Sequence, residues 1–106
     1  MIGFEDFKKI DLRIATIQEV REHPNADKLY VLRISVGDET KQIVAGIRNK
    51  YSQEELVGKK ILVCNNLEPA VIRGESSDGM LLAAAGDDGP VILLPERDVP
   101  DGAQVR

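Results

Sequence analysis

The stretch from Ile61 to Ala85 constrains the chain most. It holds two short apolar runs, Ile61-Leu62-Val63-Cys64 leading into Asn65-Asn66, and Met80-Leu81-Leu82-Ala83-Ala84-Ala85. Each is bounded by polar and turn residues, as buried strands are. The connection between them, Leu67 to Gly79, is too long for a tight hairpin. Pro69 removes a backbone donor and takes the chain out of the sheet. Gly74 and Gly79 permit backbone angles that other residues avoid. An ordered loop of this length on a sheet is a common place for binding groups. Asn66, Arg73, Ser76 and Ser77 offer amide, guanidinium and hydroxyl hydrogen bonds there, beside the soft side chain of Met80.

The flanking sequence extends the β pattern. Ile10, Leu12 and Ile14 alternate with Asp11 and Arg13, and Ile17 falls on the opposite parity. A bulge or bend at Ala15-Thr16 restores the facing, as in the long bent first strand of a small barrel. The three-residue spacing of Ile14, Ile17 and Val20 also fits a helix, but β-branched residues favour strand. Leu29–Val36 and Thr40–Ala45 read as strands joined at Gly37-Asp38, with Arg33 and Lys41 expected close together across the hairpin. Ser52-Gln53-Glu54-Glu55 is a capping box opening a short helix that ends at Gly58. Gly86–Pro90 is a turn before a last strand, Val91–Leu94. At the N-terminus, Phe4 and Phe7 are placed to pack one or two helical turns on the sheet. In the tail, Val99, Ala103 and Val105 cover an apolar patch either on the same barrel or on a second copy. Five strands with a short helix between the third and fourth, an N-terminal helix and a C-terminal extension describe an all-β oligonucleotide-binding barrel spanning 1–106 as one domain.

Charge distribution matters more than the total. The chain carries −4 overall, which argues against nucleic acid. Lys28, Arg33, Lys41, Arg48, Lys50, Lys59 and Lys60 nevertheless face only four acids between residues 28 and 60, a local +3 that leaves −7 elsewhere. Spacing alone leaves open whether this is one basic face or a solvated mixture. The single cysteine, Cys64, excludes an internal disulfide. The N-terminus lacks a signal-peptide pattern, and no apolar run approaches the ~20 residues of a membrane span. The expectation is a cytoplasmic protein without membrane contact. His23, the only histidine, lacks companion metal ligands and a nucleophile to activate. It is read as a loop histidine bonded to backbone, and no cofactor, metal or catalytic residue is expected.

Asn66-Leu67-Glu68-Pro69-Ala70, Arg73-Gly74 and Ser77-Asp78-Gly79-Met80-Leu81-Leu82-Ala83-Ala84 resemble the tRNA-binding domain appended to methionyl-tRNA synthetases, which also occurs as a free-standing tRNA-binding protein. His23-Pro24-Asn25-Ala26-Asp27-Lys28-Leu29-Tyr30 resembles the same domain family, including its copy in the phenylalanyl-tRNA synthetase β subunit, and Gln42-Ile43-Val44-Ala45-Gly46 adds to the match. The resemblance runs from about Phe4 to Arg106. It implies a non-catalytic module that holds tRNA for a catalytic methionyl-tRNA synthetase chain, and a homodimer built through the extensions. Ser77 and Met80 fall on family positions associated with tRNA contact. Lys28, Arg33, Lys41, Arg48 and Lys50 are the expected phosphate contacts, with Asn66 and Arg73 as neighbours. Each has a structural alternative: Met80 as a core plug, Asn66 as a loop cap, Arg33 paired with an acid across the sheet. With Tyr30 and Tyr51 the only tyrosines, few aromatic platforms exist for stacking bases. Recognition of folded tRNA by shape and backbone is expected, with a log–log salt slope on the order of −3 for about four phosphates. A related branch of the fold acts as a secretion chaperone, so a protein-interaction module is the alternative.

Overall fold

The computed structural model describes Met1–Arg106. A short helix α1 (Phe4–Phe7) precedes β1 (Leu12–Glu22), β2 (Tyr30–Val36) and β3 (Glu39–Ala45). Helix α2 (Gln53–Leu56) leads to β4 (Lys60–Cys64), β5 (Ala70–Ile72), β6 (Glu75–Ser77), β7 (Met80–Leu81), β8 (Ala83–Gly86), β9 (Gly89–Ile92) and β10 (Gln104–Val105). The main sheet runs β3-β2-β1-β4-β7, with β10 added alongside β1. This is an oligonucleotide-binding-type barrel, with the helix between the third and fourth strands where the sequence places it.

β1 is the shared strand. Its first half pairs with β4 and its second half with β2, both antiparallel. The expected irregularity is present but lies between Ile17 and Glu19, a few residues later than the parity change suggests. Two adjacent residues before it, Ile14 and Ala15, are both buried because both faces of β1 are covered there. The core stacks Ile17, Leu32, Ile34, Ile43, Leu56, Ile61 and Val63, all essentially inaccessible to water. Ser52 caps α2 as the capping box requires. Its Oγ accepts from the Glu55 N–H, and the Glu55 carboxylate accepts from the Ser52 N–H at 2.7 Å. That bond holds the Glu55 carboxyl below its ordinary range.

Three expectations change. Phe4 does not pack α1 on the sheet: it is 71% exposed, Phe7 is only half-buried, and no residue of α1 is fully buried. The segment is held by backbone instead, through Asn66, as described below. The apolar run at Met80–Ala85 is split into β7 and β8, because Leu82 turns toward β4 and donates its N–H to the Leu62 carbonyl. The connection Leu67–Gly79 contains its own hairpin, β5–β6, whose turn residues Arg73 and Gly74 both have positive φ (51° and 94°). Such a pair of left-handed residues matches the twist of a two-residue hairpin.

The tail covers its own barrel. The Ile14 N–H donates to the Ala103 carbonyl and the Gly102 N–H to the Ile14 carbonyl. Asp101 accepts from the Thr16 and Ser35 hydroxyls, each at 2.8 Å, and from the Gly37 N–H. Gly102 (φ +84°) is required for this approach, since a β-carbon there would lie 2.7 Å from the Gly37 nitrogen.

Candidate nucleic-acid interface

Hairpin β5–β6 lies across the outer face of the β1–β2–β3 sheet. Arg21, Val31 and Val44 stand opposite one another in register, as do Arg33 and Gln42, so these side chains share a face. From that face Arg21 reaches the Glu75 carboxylate at 2.6 Å, and Gln42 donates to the Ser76 carbonyl at 2.9 Å. The Arg21 guanidinium holds the Glu75 carboxyl below its ordinary range. At the sheet edge the Ser77 hydroxyl accepts the Val44 N–H at 2.9 Å and donates to the Gly79 carbonyl. The Asp78 N–H continues the ladder to the Gln42 carbonyl. Ser77 thus supplies by side chain the acceptor that a neighbouring strand would give, and closes the barrel on β3. It is buried, and its partners are backbone groups rather than a base.

The loop from Pro24 to Leu29 lies against the tip of this hairpin. Between them is a cleft of about 480 Å³ lined by Asn25, Ala26, Asp27, Lys28, Leu29 and Arg73. Lys28 and Arg73 are exposed, and neither side chain has an ion-pair or hydrogen-bond partner. Asp27 lies on the same wall, so the cleft balances two cations against one carboxylate. Arg48 braces the loop from behind, donating to the Ala26 carbonyl at 3.1 Å and pairing with Glu22 at 3.1 Å.

The remaining expected residues are dispersed. Arg33 is on the outer face and pairs loosely with Glu19 across the sheet, at 3.6 Å with both side chains exposed. Lys41 does not lie beside it, because its register partner is Ile34, on the opposite face. The Lys41 side chain is only 10% exposed. Its ammonium donates to the Asn65 carbonyl at 2.8 Å and lies 3.6 Å from Asp78. Lys50 runs along the β8–β9 hairpin, close enough that a β-carbon on Gly89 would sit 2.8 Å from its Cε. Asn66 spends its amide on the N-terminal segment, accepting from the Asp11 N–H and donating to the Lys9 carbonyl. Met80 is 47% exposed opposite Cys64 and does not plug the core. The tyrosines are structural: the Tyr30 hydroxyl donates to the Tyr51 carbonyl, and the Tyr51 hydroxyl accepts the Ile92 N–H.

Comparison with known proteins identifies the fold family. A family model described as "Putative tRNA binding domain" matches residues 12–104. The chain belongs to the tRNA-binding domain family. It is 47% identical over 105 residues to the methionine–tRNA ligase of Pyrococcus horikoshii and 48% identical to that of Methanococcus aeolicus, covering 99% of this chain in each case. It spans only 14% and 16% of those relatives' lengths. Among solved structures, a MetRS-related protein from Pyrococcus horikoshii superposes with a TM-score of 0.92 at 31% identity, covering 100% of this chain and 98% of the other. The CsaA chaperone protein from Picrophilus torridus superposes with a TM-score of 0.94 at 36% identity, each chain covered completely.

Within this tRNA-binding domain, His23 is the backbone-bonded loop histidine that its sequence surroundings predict. The density of turn residues around it gave that signal. Nothing in the sequence announced its second bond, to a strand 49 residues further on. Arg73 was named without its conformation. An arginine held at positive φ on a loop tip is a strained placement of the kind found at ligand-binding sites.

Proposed function

We propose that this domain binds folded tRNA as a non-catalytic accessory part of a methionine–tRNA ligase, holding the RNA for a catalytic chain and raising its local concentration. The observation that carries the reading is the cleft between the Pro24–Leu29 loop and the β5–β6 hairpin. Its two unpaired cations, Lys28 and Arg73, face solvent on the side of the barrel where oligonucleotide-binding folds take their ligands. Arg33 extends that face, and Met80, exposed on β7, is a soft contact for RNA that reaches that strand. Lys41, Arg48 and Ser77 act by shaping the interface, Asn66 holds the N-terminal segment, and Lys50 contacts only RNA that reaches the β8–β9 hairpin. Inward-turned tyrosines favour recognition of backbone and shape over base stacking.

The test is titration of total tRNA against the domain over a range of salt. With about three phosphates engaged, through Lys28, Arg33 and Arg73, the log–log slope is about −2 to −2.7. Lys28→Glu is expected to weaken binding about tenfold and to flatten the slope by about one. A flat salt dependence in the unmodified domain, or unchanged binding by Lys28→Glu, rejects the site.

A second reading rests on an apolar groove lined by Ile14, Leu62, Leu93, Leu94, Val99 and Val105, together with the likeness to a protein named as a chaperone. We propose that a second copy of the domain covers this groove. Capture of unfolded polypeptide without tRNA would instead favour a chaperone role.

A further inference from the structure

His23 is 3% exposed, yet both ring nitrogens are engaged. Nδ1 accepts the Asn25 N–H at 2.9 Å, which places the ring proton on Nε2, and Nε2–H donates to the Ile72 carbonyl at 2.9 Å. Its backbone N–H donates to the Leu29 carbonyl at the other end of the loop. One imidazole therefore fixes the fold of the loop that bears Lys28 and ties that loop to the residue preceding Arg73. The only other side-chain bond across this junction is a long one, Asn25 Nδ2 to the Arg73 carbonyl at 3.4 Å. The two cations of the cleft come from segments far apart in sequence, and each sits on a turn. Arg21 and Gln42 tie the hairpin to the sheet and Arg48 ties the loop to its own base, but the short bond that joins the two turns directly is the one from His23.

We infer that His23 is the positioning residue of the tRNA interface, setting the separation of Lys28 and Arg73 so that both meet phosphates of one RNA backbone. The inference rests on the tRNA-binding reading above. It assigns the effect to the bond that crosses the cleft, not to the loop's own turn. The two bonds are separable by substitution. An asparagine at 23 can place its oxygen near Nδ1 and keep the Asn25 bond, but it falls short of Ile72. A glutamine can extend its amide to the Nε2 position and restore the donor to Ile72.

The experiment measures tRNA affinity against salt for the unmodified chain, His23→Asn and His23→Gln, with thermal unfolding recorded for each. His23→Asn is expected to bind about three- to tenfold more weakly, with a slope flattened by about one because one phosphate contact is lost. His23→Gln is expected to keep the unmodified slope and bind within about twofold. Equal behaviour of the two variants, or an unchanged slope in His23→Asn, overturns the inference. If neither variant folds, the imidazole ¹⁵N spectrum of the unmodified chain decides. A single Nε2–H tautomer that persists at saturating tRNA supports the tie, and averaging over both tautomers overturns it. Absence of tRNA binding by the unmodified chain is a different result, which rejects the proposed function itself; the tautomer measured in the free chain still reports the bond.

Discussion

At the scale of single residues, Ser77 and Arg73 show how one loop holds both a buried structural side chain and an unpaired, solvent-facing one. Ser77 satisfies a backbone donor at the seam of the barrel. Ser77→Ala leaves the buried Val44 N–H without an acceptor, which costs about 1–3 kcal/mol. Denaturant unfolding should show that loss, and tRNA affinity, measured well below the unfolding transition, should fall only as far as the hairpin shifts. Arg73 is the converse. Its positive φ costs about 1–2 kcal/mol for a residue with a β-carbon, while its guanidinium has no partner within the domain. Asparagine tolerates that backbone and carries no charge. Arg73→Asn is therefore expected to unfold at the same temperature or higher, and to bind tRNA several-fold more weakly with a shallower salt slope. A variant that lost stability without losing affinity would reverse the assignment. Lys41 marks the boundary of what residue type reveals: a lysine on a strand reads as a surface cation, and only the register with Ile34 shows it turned to the other face.

At the scale of elements, hairpin β5–β6 depends on polar ties more than on burial. Its strands are three residues each, and of its side chains only Ser77 is buried. Arg21 and Gln42 hold it to the sheet through Glu75 and Ser76. Because the folded pKa of Glu75 lies below its ordinary 4.5, the contribution of that carboxylate is present above pH 4.5 and is lost as pH falls through the folded value. Glu55 and Asp98 shift in the same direction, the latter chiefly through its bond from Lys60, so acid weakens the fold at three places. Glu75→Gln should lower the unfolding temperature at pH 7, with the difference from the unmodified chain shrinking as the pH is taken below 4.5; parallel curves would show that the pair with Arg21 is immaterial. The elements with strong periodic signals, β1 to β4 and the capped α2, were legible in the sequence because burial and capping follow fixed spacings. The hairpin was not. Its large apolar residues are only Val71 and Ile72, and its turn uses Arg73 where the usual signal is Asn or Asp before Gly. The dispersal of the cations was equally hidden, since it follows from register and from the long-range bonds of Lys41 and Arg48.

At the scale of the whole molecule, the barrel is finished on the side of the β5–β6 hairpin and unfinished on the other. Ala83, Ala84 and Ala85 are exposed, as are Val91, Leu93 and Leu94, although β8 and β9 pair with each other. The tail reaches this region and does not close it. Val99, Ala103 and Val105 form one wall of a groove whose other wall is Leu93, Leu94 and Pro95. Contiguous exposed apolar surface of this kind marks an interaction site. The second copy proposed above as its cover pairs by a two-fold axis, which sets the same apolar patch of each chain against its counterpart. The Lys28–Arg73 cleft involves none of these residues, so a dimer leaves two clefts free. Both could engage one folded RNA only if their spacing matches its length. Leu94→Glu places a charge in the groove without touching Lys28, Arg73 or His23. Sedimentation equilibrium is expected to show a dimer for the unmodified chain and a monomer for Leu94→Glu, while the salt slope for tRNA changes by less than half if each cleft acts alone and by about half if one RNA spans both. A monomeric unmodified chain at high micromolar concentration would remove the second copy as the occupant of the groove and leave a polypeptide partner as the remaining source of cover.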